Sequence, residues 1–153
     1  RASIHVYRHG DVAHLEQLLI NDKSKGRKLI ATESVFSMDG DIAPIKQICS
    51  LARRHQARVL VDEAHATGVI GARGEGVVGA LGLTADVDLQ VGTFSKALGS
   101  LGGFVAGSRE LIQLLLNRAR SFIFTTGLPP ACPAPPPPRS CRPSAARCAS
   151  PAA

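Results

Sequence analysis

Short runs of aliphatic and β-branched residues, such as Arg-Val-Leu-Val at 58–61, alternate along most of this chain with stretches in which apolar residues return every three or four positions. Strand-length runs separated by helix-period stretches are the signature of βαβ units. The helix between two such strands carries the chain back to the starting end of the sheet, so successive strands must lie parallel. The predicted fold class is therefore α/β, a mainly parallel sheet flanked by helices.

The elements follow from spacing. A strand at 4–7 leads to Asp11, whose short carboxylate suits a helix N-cap, and to a helix with Leu15, Leu18 and Leu19 on one face that ends toward Gly26. The next strand is 28–31. After a loop at 33–41, Pro44 opens a helix with Ile45, Ile48, Leu51 and Ala52 on one stripe and His55 near its end. Further strands are expected at 58–61, 87–91 and 103–106. Between the first two of these lie Gly68, Gly71, Gly74, Gly76 and Gly79, which lack the GxGxxG spacing of a phosphate loop and read as an irregular loop. Ser108 caps a helix over 110–120 with Leu111, Leu114 and Leu115 inward, and 121–130 runs out as a loop.

With 153 residues the chain has the size of one domain. Residues 131–153 contain no acidic, aromatic, Leu, Ile or Val residue, hold most of the ten prolines, and include a four-proline run at 135–138. Such a segment has little to bury against the entropy of ordering it, and it is expected to be disordered. Residues 1–130 then form the folded unit.

The formal net charge is +6, and three of those charges, Arg139, Arg142 and Arg147, lie in the tail. Without a basic stripe or interleaved aromatics, nothing marks a nucleic-acid surface. Cys49 is the only cysteine of residues 1–130, and the tail cysteines have no histidines at zinc spacing, so neither a disulfide framework nor a metal site is expected. No stretch is apolar enough to span a membrane and the start shows no signal-peptide core, which predicts a cytoplasmic protein.

Ligands of open α/β sheets gather outside the carboxyl ends of the strands. At or near those ends stand Ser37, Asp62, His65, Thr93 and Lys96. Lys96 lies in VGTFSKALGSLGG, where glycines allow tightly turned backbone and close approach of a ligand. A lysine amine there could form an imine with an aldehyde, and the Thr93 and Ser95 hydroxyls suit a phosphate. Taken singly, each residue has a plain structural role available: a solvated lysine, a capped turn, an Asp62 helix cap or ion pair, a hydrogen-bonded His65. Glu63 reads as structural or as support for its neighbours.

Three segments in order, ESVFSMDGDIAP, VDEAHATGVIGARGEG and VGTFSKALGSLGG, resemble the α-oxoamine synthases among the fold-type I pyridoxal 5'-phosphate (PLP) transferases. The similarity covers about residues 1–130 and implies part of their large domain. By that resemblance Lys96 carries PLP as a Schiff base and moves the substrate α-proton. Asp62 pairs with the pyridine nitrogen, His65 contacts the phenolic oxygen, Ser37 lies at the cofactor, and Thr93 binds its phosphate.

The resemblance further implies decarboxylative condensation of an amino acid with an acyl thioester in a homodimer. The stretch HATGVIGARGEG looks most like the branch of biotin biosynthesis that joins L-alanine to pimeloyl-CoA or pimeloyl-ACP, with glycine C-acetyltransferase and 5-aminolevulinate synthase as alternative branches. The family's upstream phosphate loop, its ring-stacking histidine and its C-terminal domain have no counterpart in the 153 residues. The isolated chain is thus expected to be inactive, and the tail to be the product of a frameshift or misassembled gene. A reading of another class is a noncatalytic interaction module whose PPPP run is a polyproline II ligand.

Overall fold

The structure, a computed structural model, describes residues 2–129. Four strands form one sheet whose spatial order follows the chain: β1 (Leu29–Glu33), β2 (Arg58–Asp62), β3 (Leu89–Thr93) and β4 (Gly103–Gly107). The first three are mutually parallel, and β4 runs antiparallel to β3. The expectation of a mainly parallel α/β sheet is borne out.

Helix α1 (Val12–Asn21) starts where Asp11 accepts the His14 amide at 2.8 Å, the predicted cap. Helix α2 (Ile45–Arg54) carries the predicted stripe, with Ile45, Ile48, Leu51 and Ala52 all buried in one core with Val59 and Val61 of β2. Burying a side chain of that size contributes about 2 kcal/mol, which makes this layer the main apolar support of the sheet. At the start of β3, Asp88 accepts the Val59 amide at 2.8 Å and the Arg58 guanidinium at 2.6 Å. These two contacts hold β3 in register with β2.

Several expectations are corrected. Residues 4–7 are not a strand; Ile4 and Val6 are exposed, and among the described residues β1 pairs with β2 alone. A groove of about 1150 Å³ separates this segment from the open edge of β1, and a strand without a ladder partner has nowhere to place its amides and carbonyls. Helix α1 ends at Asn21, where the Asp22 amide closes on Leu18, well before Gly26.

The glycine-rich stretch contains a short helix, α3 (Gly76–Ala80), in place of an unbroken loop. Helix α4 (Arg109–Arg118) is capped by Ser108 as expected, yet Leu114 is 53% exposed. Its packing partners are β4 and the short helix α5 (Arg120–Ile123), which occupies part of the expected loop, and these cover a narrower stripe than the leucine spacing implies. The predicted tail, 131–153, lies outside the described residues.

Candidate active site

Parallel pairing brings Glu33, Asp62 and Thr93 to the same end of the sheet, with Glu33 opposite Asp62 and Asp62 opposite Val91. Because β4 turns back beside β3, residues 94–102 must cross that end. This crossing segment carries Lys96. It is closed at its root by the Phe94 amide and the Thr93 hydroxyl, both donating to the Gly102 carbonyl at 2.9 and 3.0 Å. Gly102 has φ +104, a conformation side chains disfavour, so glycine is required at that closure.

Lys96 Nζ lies 2.9 Å from His65 Nε2. In such a contact one nitrogen donates and the other accepts, so a charged lysine requires an imidazole whose Nε2 lone pair is free. The pair thus has a built-in place for a proton to move. Asp62 closes β2 at the same end of the sheet, its Oδ1 accepts the Ala64 amide at 2.8 Å, and it is among the residues lining the groove beside β1. Lys96, His65 and Thr93 do not line that groove, so it is not itself the candidate site.

The Thr93 hydroxyl is 2.7 Å from that of Ser95 and accepts the Ser95 amide at 3.1 Å, which sets two hydroxyls side by side in the residues just before Lys96. Ser37 stands apart. It is exposed in the loop after β1, its amide donates to Glu33 Oε2 at 3.0 Å, and no hydrogen bond among the described residues joins it to the other four. That loop is tied to the N-terminal segment by His9, which bonds Asp41 at 2.9 Å, lies near Asp39 and packs at a tilt against the Phe36 ring. These three polar groups are close enough to share a cation, but all are exposed and His9 is already partnered by Asp41.

One buried polar residue was underrated by spacing alone. Glu63 is 2% exposed, and burial pushes its carboxyl above the usual range, offset in part by the Val78 amide, the Ser34 hydroxyl and the Val77 amide. The Ser34 hydroxyl is itself wholly buried and makes no hydrogen bond of ordinary geometry, so its influence on Glu63 is through proximity. The only sequence signal was an acidic residue immediately after a strand end, which does not distinguish a buried carboxyl from a solvated one.

A mainly parallel sheet with a lysine and an imidazole in contact over its carboxyl end is an arrangement that a known family matches. The profile of the family "Aminotransferase class I and II" matches residues 1–134, and the chain belongs to that family, with the fold of the fold-type I PLP enzymes. Among its relatives, a putative 8-amino-7-oxononanoate synthase of Gloeobacter violaceus is 57% identical over 130 residues, 84% of this chain and 33% of the relative. The 8-amino-7-oxononanoate synthase of Geobacter sulfurreducens is 51% identical over 131 residues, 86% of this chain and 34% of that protein.

Solved structures give the same placement. A serine palmitoyltransferase variant from S. paucimobilis with bound PLP–myriocin aldimine is 42% identical with TM-score 0.78, covering 82% of this chain and 33% of that one. The 8-amino-7-oxononanoate synthase of Francisella tularensis is 29% identical with TM-score 0.67, covering 81% and 35%. The resemblance to α-oxoamine synthases read from the three motifs is thereby borne out. The chain spans about a third of the length of the curated relatives it matches.

Proposed function

We propose that residues 2–129 carry the cofactor-anchoring part of a PLP-dependent acyltransferase, with Lys96 as the attachment point. The observation that carries this reading is the 2.9 Å contact between Lys96 Nζ and His65 Nε2 at the carboxyl end of the sheet. The donor set fits the group: an amine for its aldehyde, the Asp62 carboxylate for its ring nitrogen, His65 for its phenolic oxygen, and the Thr93 hydroxyl for its phosphate, with Ser37 at the rim. When bound, PLP supplies an electron sink for negative charge at the substrate α-carbon.

The chain's own residues have separate tasks in this reading. Asp62 holds positive charge on the ring nitrogen, which deepens that sink. His65 takes or returns a proton at Lys96 Nζ, so that the amine can act as base toward the α-carbon. Thr93, its hydroxyl turned from the Gly102 carbonyl to the phosphate, holds the phosphate end in place with Ser95 beside it.

The reaction we propose for the complete enzyme is decarboxylative condensation of L-alanine with pimeloyl-CoA or pimeloyl-ACP in biotin biosynthesis, in a cytoplasmic homodimer. The names of its relatives support it. A serine-accepting branch is the second reading, supported by the 42% identity to a serine palmitoyltransferase. By itself the chain is proposed to attach PLP weakly and not to condense substrates.

Incubation with PLP, borohydride reduction and peptide mapping by mass spectrometry test the anchor. Label is expected at Lys96 in preference to Lys23, Lys25, Lys28 and Lys46, and is expected to vanish from that peptide in Lys96→Ala. Equal labelling of all five lysines would overturn the assignment. L-Alanine is expected to lower Lys96 labelling at smaller concentrations than L-serine does, and the reverse order favours the serine branch.

A further inference from the structure

We infer that Glu63 is a positioning residue that sets Asp62 and His65 by locking its carboxyl into the space left open at Gly76, an inference that rests on the reading of Lys96 as the PLP anchor. Glu63 stands one residue after Asp62 and two before His65. Its backbone leaves no slack. The Glu63 amide donates to the Val91 carbonyl at 2.7 Å, and its carbonyl accepts the Ala66 and Thr67 amides at 2.9 and 2.8 Å. These bonds make Glu63 the pivot of the turn that holds both neighbours.

The side chain fixes that pivot from behind. Its Oε1 accepts the Val78 amide at 3.2 Å, inside the protein, with Val77 and the buried Ser34 hydroxyl close by. One carboxyl thus ties the end of β2 to the start of α3, with the residue after β1 packed beside it. The arrangement depends on a missing side chain. A Cβ at Gly76 would fall 1.6 Å from Glu63 Oε2, and the Gly76 φ of +83 excludes ordinary side chains as well. Glu63 and Gly76 are therefore a matched pair: the carboxyl occupies the volume that glycine leaves.

Removing the carboxyl strands the Val78 amide and opens a void under the turn, and both effects loosen the backbone that aims Asp62 and His65. Glutamine keeps an acceptor oxygen of the same reach and is a neutral mimic of the protonated acid. Alanine keeps neither.

The test is the yield of borohydride-trapped PLP at Lys96 in four variants with retained circular dichroism. Glu63→Ala is expected to lose label by about ten- to a hundredfold, taking as a guide the loss seen when a residue that orients a metal-binding side chain is removed. Glu63→Gln is expected to keep most of it. Gly76→Ala is expected to fall as Glu63→Ala does, whereas Gly82→Ala is expected to keep its label. Gly82 has φ +68 and nothing within 4 Å of an added Cβ, so it shares the backbone strain without the collision.

Unchanged labelling in folded Glu63→Ala overturns the inference, as does a loss in Glu63→Gln equal to that in Glu63→Ala, or in Gly82→Ala equal to that in Gly76→Ala. If Glu63→Ala does not fold, the glycine pair and Glu63→Gln decide. A wild-type chain with no preference for Lys96 sinks the cofactor reading instead. Hydrogen exchange at the Val78 amide then judges Glu63 separately: it must be faster in Gly76→Ala than in Gly82→Ala, and equal rates overturn the pairing.

Discussion

Two leucines at equivalent-looking positions on amphipathic helices should respond to truncation by very different amounts. Leu51 on α2 is 0% exposed, whereas Leu114 on α4 is 53% exposed. Leu51→Ala removes a fully enclosed isobutyl group from the core shared with Val59 and Val61 and leaves a cavity that this layer cannot fill by collapse. Substitutions of that kind cost about 3 kcal/mol or more. With a urea slope of about 2 kcal/mol/M for a chain of this size, the unfolding midpoint falls by about 1.5 M. Leu114→Ala removes a group already half in water and installs the best helix former, so its effect stays within about 0.5 kcal/mol. Urea unfolding followed by far-ultraviolet circular dichroism measures both. Equal losses at the two sites would refute the packing argument, because they would mean that Leu114 faces a core as its spacing alone suggests.

Two further outcomes concern pH. The hydrogen bond to Asp41 raises the His9 pKa above 6.5, aided by the charges of Asp41 and Asp39 and opposed by desolvation. Stability from this pair is fully present below pH 6.5 and lost as pH rises through the raised value. Asp41→Asn should bring the titration of His9, followed by NMR, back down, and an unmoved titration would remove Asp41 as its cause. Glu63 has the same sign, since burial raises its folded value above 4.5. Its contribution is complete below pH 4.5 and declines as pH rises through the folded value, so wild type should lose stability relative to Glu63→Gln across that window. A difference between the two that is constant with pH contradicts a strained buried carboxylate.

What was legible from residues alone was whatever depends on period. The α2 stripe, the Asp11 and Ser108 caps and the parallel order of β1 to β3 all rest on local spacing or on the geometry of a helical crossover, and all are present in the fold. Residues 4–7 have strand composition but no adjacent ladder, and ladder formation is a property of the neighbour. Helix α3 was hidden because glycines suppress helix propensity, while its start is held by Glu63, a residue remote in sequence. The same holds in the candidate site. Lys96 and His65 each had an ordinary role available, and only the β2–β3 register together with the return of β4 sets them in contact across 31 positions. Ser37 was legible from its place after a strand, while the bonds that hold its loop, from Glu33 and from His9 to Asp41, carried no sequence signal.

The shared direction of β1, β2 and β3 also divides the molecule into a half that tolerates editing and a half that does not. The connections entering these strands, at 22–28, 55–57 and 81–88, lie at the end opposite Asp62, Thr93 and Lys96. A peptide tag or a fluorescent reporter spliced at 23–26 would lengthen a surface crossing far from the lysine, whereas the same splice at 97–100 would displace it. The sheet's polarity is in this sense a guide for protein engineers, marking where new sequence can enter with the lysine end left as it is.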